Sequence, residues 1–399
     1  MKILVVNAGS STIKFNLFNV INEENINSLA RGHVSRLETE HAMLKFSANE
    51  VEQKISIPMF THAKAIEIFM QMLESALPIN EIDCIGYRVV HSGKFTEIQD
   101  AFKTKEEIYN VARKFTKAHA QGLINTVEYF IANYPKLAQY FDFDTLYHLQ
   151  TMAPEHYIYA LPQDKCKKLG IRKYGEHGLS HQYIAEHSAK LFGSNQAVIS
   201  CHLGSGSSIS CIYDAKCIDN SMGLTPLAGV VMSTRCGNID PSTITYMMKE
   251  YNLTPDEMDD IMNLQSGLKA ICGDGDMQRI IERMENGDND ALLAFNVAVN
   301  SYVKSIGGKI VQMGDKILPN LSNFKIVFTA GIGENSPLVR KKIIDKLAFM
   351  GIILDDNLNN ATINGDHIIS AIDSKAEVWV LPTNEEIVVA QDIYAKIYK

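Results

Sequence analysis

Asn7-Ala8-Gly9-Ser10-Ser11-Thr12-Ile13-Lys14 gathers small residues, hydroxyls and backbone N–H groups into one tight turn and sets a cation just beyond them. Such a turn can cradle phosphate oxygens, although a single Gly-Ser cluster is more often only a turn. Two further loops change that weighing. His202-Leu203-Gly204-Ser205-Gly206-Ser207-Ser208 follows the apolar run 197–201, and Thr329-Ala330-Gly331-Ile332-Gly333-Glu334-Asn335-Ser336 follows another and opens a helix, whose N-terminus favours anionic or polar groups. Neither Gly204-Ser205-Gly206 nor Gly331-Ile332-Gly333 completes G-x-G-x-x-G, and no G-x-x-x-x-G-K-[ST] occurs. P-loop and Rossmann sites are therefore disfavoured.

Arginines are the cations best suited to paired oxygens, because a guanidinium fork matches both carboxylate and phosphoryl geometry, and Arg88 and Arg235 are set apart only by the motifs around them. Outside their surrounding motifs each would more often be an ordinary ion pair. Glu385, read alone, is a first-turn acid favoured by the helix dipole. His177 and His181 stand four residues apart, a spacing able to bind a metal on a helix, but no H-E-x-x-H accompanies them.

The elements that must hold these residues are short strands alternating with helices. Ile3 to Val6 and the alternating Ile13, Phe15 and Leu17 predict a hairpin around 7–11, and 197–201 with 209–212 predict a second one. Two such units suggest an internally duplicated α/β fold. Helical stretches are predicted over 105–134, 180–192, 240–251, 255–264 and 288–313. Ser336-Pro337 starts a helix expected to run from Leu338 to Met350 before Gly351, and Thr383 with Glu386 reads as a capping box before Ile387 to Tyr398. The domain boundary is expected near residue 148, giving 1–148 plus 382–399 as one domain and 149–381 as the other.

A chain of 399 residues with 46% hydrophobic content has material for two domains. Its net charge of -8, from 38 basic against 46 acidic residues, argues against nucleic acid or an anionic membrane as partner. The seven cysteines are spread out with no C-x-x-C pair, which argues against a disulfide framework or thiolate zinc site. The apolar run after Met1 is too short for a signal peptide or membrane span, so cytoplasmic residence is expected.

Nine segments together resemble the acetate kinase family: N-A-G-S-S-T-I-K from Asn7, G-Y-R-V-V-H from Gly86, F-D-T from Phe143, R-K-Y-G-E-H-G-L-S-H from Arg172, H-L-G-S-G-S-S from His202, S-M-G-L-T-P-L from Ser221, T-R-C-G-N-I-D-P from Thr234, T-A-G-I-G-E-N-S from Thr329 and P-T-N-E-E from Pro382. The resemblance implies duplicated actin-like, ribonuclease H-like domains with ATP in an interdomain cleft. It also implies reversible in-line phosphorylation of acetate to acetyl phosphate, with propionate or butyrate kinase and a non-catalytic nucleotide switch as alternatives.

By the same resemblance, Asn7 and Glu385 lie near Mg2+, with Mn2+ as an alternative ion, and Lys14 contacts nucleotide phosphate. Arg88 binds the substrate carboxylate, Arg235 and His177 stabilise the transition state, and Asp144 is the catalytic acidic position. Because acetate is already ionised at neutral pH, Asp144 is better suited to orienting Arg88 or the metal. His202, Leu203, Gly204, Ser205 and Gly206 form the phosphate loop. Asp276, Met277 and Gln278, with Gly331, Ile332, Gly333, Glu334 and Asn335, border the adenosine, Gln278 standing where arginine is common. A homodimer is implied as well.

The resemblance puts Val90, Ala118, Glu176 and Pro226 in the wall of the acetate pocket. Ala118 stands where leucine is usual and Glu176 where phenylalanine is usual. A carboxylate beside a carboxylate substrate repels it, so Glu176 is expected to face solvent or to pair with a cation such as Lys173.

Overall fold

The computed structural model describes residues 1–49, 51–317 and 321–398, with the side chain of Ala118 also outside the described set. The chain divides into two compact units, Met1–Leu146 with Asn384–Lys399, and Tyr147–Thr383.

In the first unit, β1 (Lys2–Ala8) and β2 (Thr12–Asn22) pair antiparallel down to Ala8↔Ile13, forming the expected hairpin. β3 (Asn25–Ser35), β4 (Met43–Ala48) and β5 (Val51–Ser56) extend the sheet outward. On the other side β6 (Cys84–Val89) runs parallel to β1, followed by β8 (Ala138–Phe143), with the short β7 (Gln99–Asp100) at the edge. Ile3, Leu4, Val5 and Val6 are all buried, as a run without alternation requires of a strand covered on both faces. The helix Glu385–Tyr398 covers one of those faces. It sits so close to β6 that a Cβ on Gly86 would fall 2.3 Å from Ile393 Cδ1, so a larger residue there would have to displace the Ile393 side chain.

The second unit repeats the plan. β9 (Ala197–Leu203) and β10 (Ser207–Tyr213) form a hairpin, β11 (Lys216–Asn220) pairs antiparallel to β10, and β12 (Phe324–Thr329) runs parallel to β9. β14 (Glu377–Val380) is parallel to β12, with β13 (His367–Ile368) at the edge. The orders β3-β2-β1-β6-β8 and β11-β10-β9-β12-β14 have the same sense throughout. This is the duplicated ribonuclease H-like α/β arrangement expected from the sequence. The long helix Asn289–Gln312 packs Phe295, Ala298, Tyr302 and Ile306 into the apolar core under β9 and β12.

Three helix limits differ from expectation. The 105–134 stretch is two helices, Ala101–Phe115 and Lys117–Asn133, separated by the extended-φ residue Thr116. The helix after Ser336 stops at Asp345, and a single 3-10 turn, Ala348–Met350, carries the chain to Gly351. Before the last helix, Asn384 rather than Thr383 caps: its Oδ1 accepts from Ile387 N at 3.2 Å, while Thr383 Oγ1 has no partner among the described residues. Glu386 instead lies 3.8 Å from Lys14 Nζ. No helix among the described residues is long and apolar enough to cross a membrane.

Candidate active site

The carboxyl ends of three neighbouring strands of the first unit deliver one charged cluster. Arg88, near the end of β6, donates from Nε to Asp144 Oδ1 at 3.1 Å and from Nη2 to Asp144 Oδ2 in a closer contact. Asp144 follows β8 directly and is fully buried. Asn7, near the end of β1, accepts from Arg88 Nη1 at 3.5 Å, and Glu385 Oε2, at the start of the last helix, lies 3.9 Å from Arg88 Nε. Burial pushes the Asp144 carboxyl above the ordinary carboxylate range, Arg88 pulls it back, and Glu385 pushes it up again. Two carboxylates thus share one guanidinium. Val90 is half-buried beyond Arg88, and Lys14 is mostly exposed on β2.

In the second unit His177 sits at φ 55, at the entrance of the helix Gly178–Phe192. Its ring stacks on His202 at 4.1 Å. Arg235 donates from Nη1 to the carbonyl of Pro226 at 3.1 Å, which uses a residue expected in the pocket wall. A Cβ on Gly206 would lie 3.3 Å from Arg235 Nη1 and 3.4 Å from His177 Nε2. The cation and the imidazole therefore converge on the β9–β10 turn, and glycine is what lets them approach it.

Glu176 neither faces solvent nor pairs with Lys173. It is buried, and its charge acts on Arg235, opposing the downward pull of burial on the guanidinium. Lys173 is taken by Asp219 at 2.6 Å. A glutamate with an arginine within reach of its charge is easier to accommodate near an anion-binding site than one with no cation nearby. Ala118, the other unusual wall residue, has its side chain outside the described residues.

A cavity of about 560 Å3 adjoins this turn, lined by Gly204, Ser205, Asp276, Met277 and Gln278 on one side and Gly331, Ile332 and Asn335 on another. Expected nucleotide neighbours that do not line it are Leu203 and Gly333, both buried, together with His202, Gly206 and Glu334. Glu334 turns back to accept from Ala330 N at 2.8 Å, and residues 330–335 form a short helix rather than a loop. Asp276 is engaged as a helix cap, accepting from Gln278 N and Arg279 N. Sequence reading missed Ser233, Gly275, Ile281 and Leu338 in the lining. The motif T-R-C-G points to Ser233 only by adjacency, and the helical face 277–281 was the available sign for Ile281.

His177 and His181 do not make a metal pair. His181 is fully buried and both rings bond the same hydroxyl, Ser208 Oγ, at 2.8 Å. Among the described residues no three His, Cys, Asp or Glu side chains are grouped so as to hold a metal unaided.

The acetokinase family model matches residues 2–391. Acetate kinase from Clostridium novyi (strain NT) is 39% identical over 406 residues, covering 98% of this chain and 97% of the relative. Acetate kinase from Bacillus subtilis (strain 168) is 38% identical over 405 residues, covering 98% of both. Among solved structures, a propionate kinase from Francisella tularensis subsp. tularensis SCHU S4 superposes with a TM-score of 0.86 at 35% identity, covering 98% of both chains. Porphyromonas gingivalis acetate kinase does so with a TM-score of 0.83 at 31% identity, covering 99% of both.

Proposed function

The chain belongs to the acetokinase family, and from that membership we propose that it phosphorylates acetate reversibly from ATP, giving acetyl phosphate and ADP by direct in-line transfer. The observation that carries the reading is the convergence of Arg235 Nη1 and His177 Nε2 on Gly206, beside a cavity of nucleotide size.

The family's enzymes are phosphotransferases with a carboxyl acceptor, and the residues here suit that chemistry. Phosphoryl transfer demands positioning and charge neutralisation more than proton abstraction. Arg88, pre-oriented by its two bonds to Asp144, has the fork needed for a carboxylate, with Val90 as apolar wall beside it. Arg235 and His177 serve the migrating phosphoryl group. The cavity of Ser205, Asp276, Gln278 and Gly331 takes the nucleotide.

Divalent metal fits the donors present. Asn7 and Glu385 offer hard oxygens, and the lack of any all-protein cage among the described residues suits Mg2+, which keeps water and phosphate ligands. When bound, such an ion supplies charge neutralisation on the phosphates. Mn2+ is the alternative.

We further propose cytoplasmic residence, a two-domain division at about residue 148 and pairing of two copies. The helix Pro241–Glu250 supports pairing, since it has no buried residue and Tyr246 is 65% exposed.

The test is a panel of formate, acetate, propionate and butyrate with Mg-ATP, read by ADP release and acyl hydroxamate. Acetate is expected to give the highest kcat/KM. Propionate is the second reading, favoured by the Francisella structure, and one methylene is worth only about 10- to 200-fold in discrimination. ADP release with no hydroxamate from any acid would refute the carboxylate kinase.

A further inference from the structure

On the proposed reading, His177 can serve a phosphoryl oxygen only as a hydrogen-bond donor, and a neutral imidazole has one N–H to give. Which nitrogen carries it is decided behind the ring. His177 Nδ1 lies 2.8 Å from Ser208 Oγ. The same oxygen lies 2.8 Å from His181 Nε2, and His181 Nδ1 lies 2.9 Å from Ser200 Oγ. Ser200, His181 and Ser208 are all fully buried. Stacking on His202, whose Nδ1 is 2.8 Å from Ser180 Oγ, fixes the plane of the His177 ring.

Burial, reinforced by the neighbouring His148, His202 and Lys309, holds the His181 pKa well below the ordinary histidine value. His181 is therefore neutral, with one donor and one acceptor nitrogen, and each serine has one hydroxyl proton. Two polarities of the chain give the Ser208 proton an acceptor; a third arrangement, in which Ser208 accepts from both rings, orphans that buried proton among the described residues and is excluded by its desolvation cost. In the first, Ser200 O–H donates to His181 Nδ1, His181 Nε2–H to Ser208, and Ser208 O–H to His177 Nδ1. In the second, every bond is reversed.

The far end breaks the tie. Among the described residues the one acceptor within hydrogen-bonding distance of the Ser200 hydroxyl is His181 Nδ1. Reversal would aim the His181 N–H at Ser200 Oγ and leave the buried Ser200 proton without an acceptor, a state that costs the full desolvation of a polar group. The first polarity leaves His177 Nδ1 as an acceptor. Its proton must then sit on Nε2, the atom that, like Arg235 Nη1, approaches Gly206.

We infer that Ser200, His181 and Ser208 form a one-way hydrogen-bond relay that holds His177 as its Nε2–H tautomer, ready to donate to a phosphoryl oxygen. These three are positioning residues. None needs to touch substrate.

Nitrogen-15 NMR of the histidine rings in the full-length wild-type protein near pH 7.5 tests this directly. A protonated Nε2 and a bare Nδ1 are expected at His177. Ser200→Ala removes the donor that sets the polarity, and should populate the Nδ1–H form of His177 and lower kcat by roughly tenfold, the worth of one orphaned buried hydrogen bond. Both KM values should stay within about twofold, since ground-state binding is untouched. Ser200→Thr, which keeps the hydroxyl, should restore the tautomer and the rate. An Nδ1–H tautomer in the wild type would overturn the relay whether or not the variants fold, and so would an unchanged His177 spectrum in Ser200→Ala. His177→Ala with wild-type kcat would instead refute the phosphoryl role of His177, so the two failures are distinguishable.

Discussion

Replacing Arg88 with alanine should destabilise the first unit in a pH-dependent way, and the structure fixes both size and sign. Asp144 is fully buried, and the Arg88 fork satisfies both its oxygens, while Glu385 lies on the same side as a second negative charge. Removing one partner of a buried pair costs about 3–5 kcal/mol, because the other charge is left uncompensated. For a cooperative unit of about 160 residues this corresponds to a Tm fall of roughly 6–20 °C.

The sign follows from linkage. Without Arg88 the chief influences left on Asp144 are burial and Glu385, both of which raise its pKa. The folded variant then holds a proton that the unfolded chain has lost, so its stability falls as pH rises above the unfolded carboxyl value of 3.8. The Tm difference between wild type and Arg88→Ala should therefore be large at pH 8 and less than about half as large at pH 5, where the buried acid is neutral. Asp144→Asn added to Arg88→Ala should recover much of the pH 8 loss. Differential scanning calorimetry of the three variants at both pH values is the assay. An equal loss at pH 5 and pH 8, or no recovery in the double variant, would show that Asp144 is not an uncompensated buried charge and that Arg88 is not held by it.

Two further outcomes are expected. Gly206→Ala would press a methyl group to 3.3 Å from Arg235 Nη1 and 3.4 Å from His177 Nε2, and should lower kcat by about 10- to 100-fold through misplacement alone, with Tm unchanged. In the second unit burial pushes the Asp219 carboxyl up, but Lys309 and Lys173 outweigh it and hold it at about 2. Its contribution, roughly 2 kcal/mol, is present above pH 3.8 and is lost as pH falls through about 2. Denaturant titrations at pH 5 and pH 2 should show that loss in the wild type and not in Asp219→Asn.

What the sequence made legible was periodic or local. The alternation of Ile13, Phe15 and Leu17 located β2, and two apolar runs each followed by a glycine-serine turn located both hairpins and the internal repeat. The charged residues of the site were legible through their motifs. The misreadings are places where tertiary contact chose between local options. Thr383 and Asn384 are both good helix caps, and nothing local distinguishes them. Glu176 reads as a polar intruder until its charge is seen to act on Arg235, 59 positions away in the chain. Ser200 and Ser208 read as ordinary strand residues, because their meaning lies in the cross-strand and helix neighbours that a linear pattern does not carry.

The duplicated topology explains why the charges fall where they do. In parallel α/β sheets ligands gather outside the carboxyl ends of the strands, and the strand-borne groups of both clusters obey this. Asn7, Arg88 and Asp144 stand at or just beyond the ends of β1, β6 and β8. His202 and Thr329 stand at the ends of β9 and β12. One plan used twice thus yields two equivalent edges, and the side chains there have diverged in sign. The first edge carries two carboxylates with one guanidinium, a set suited to a small carboxylate and a divalent ion. The second carries a guanidinium, imidazoles and small turn residues, a set suited to phosphates. If the duplication underlies the division of labour, exchanging charge within an edge should disturb one reactant only: Arg235→Ala should leave the KM for the carboxylate near its wild-type value while kcat collapses, and a parallel rise in that KM would show that the two edges do not divide the work.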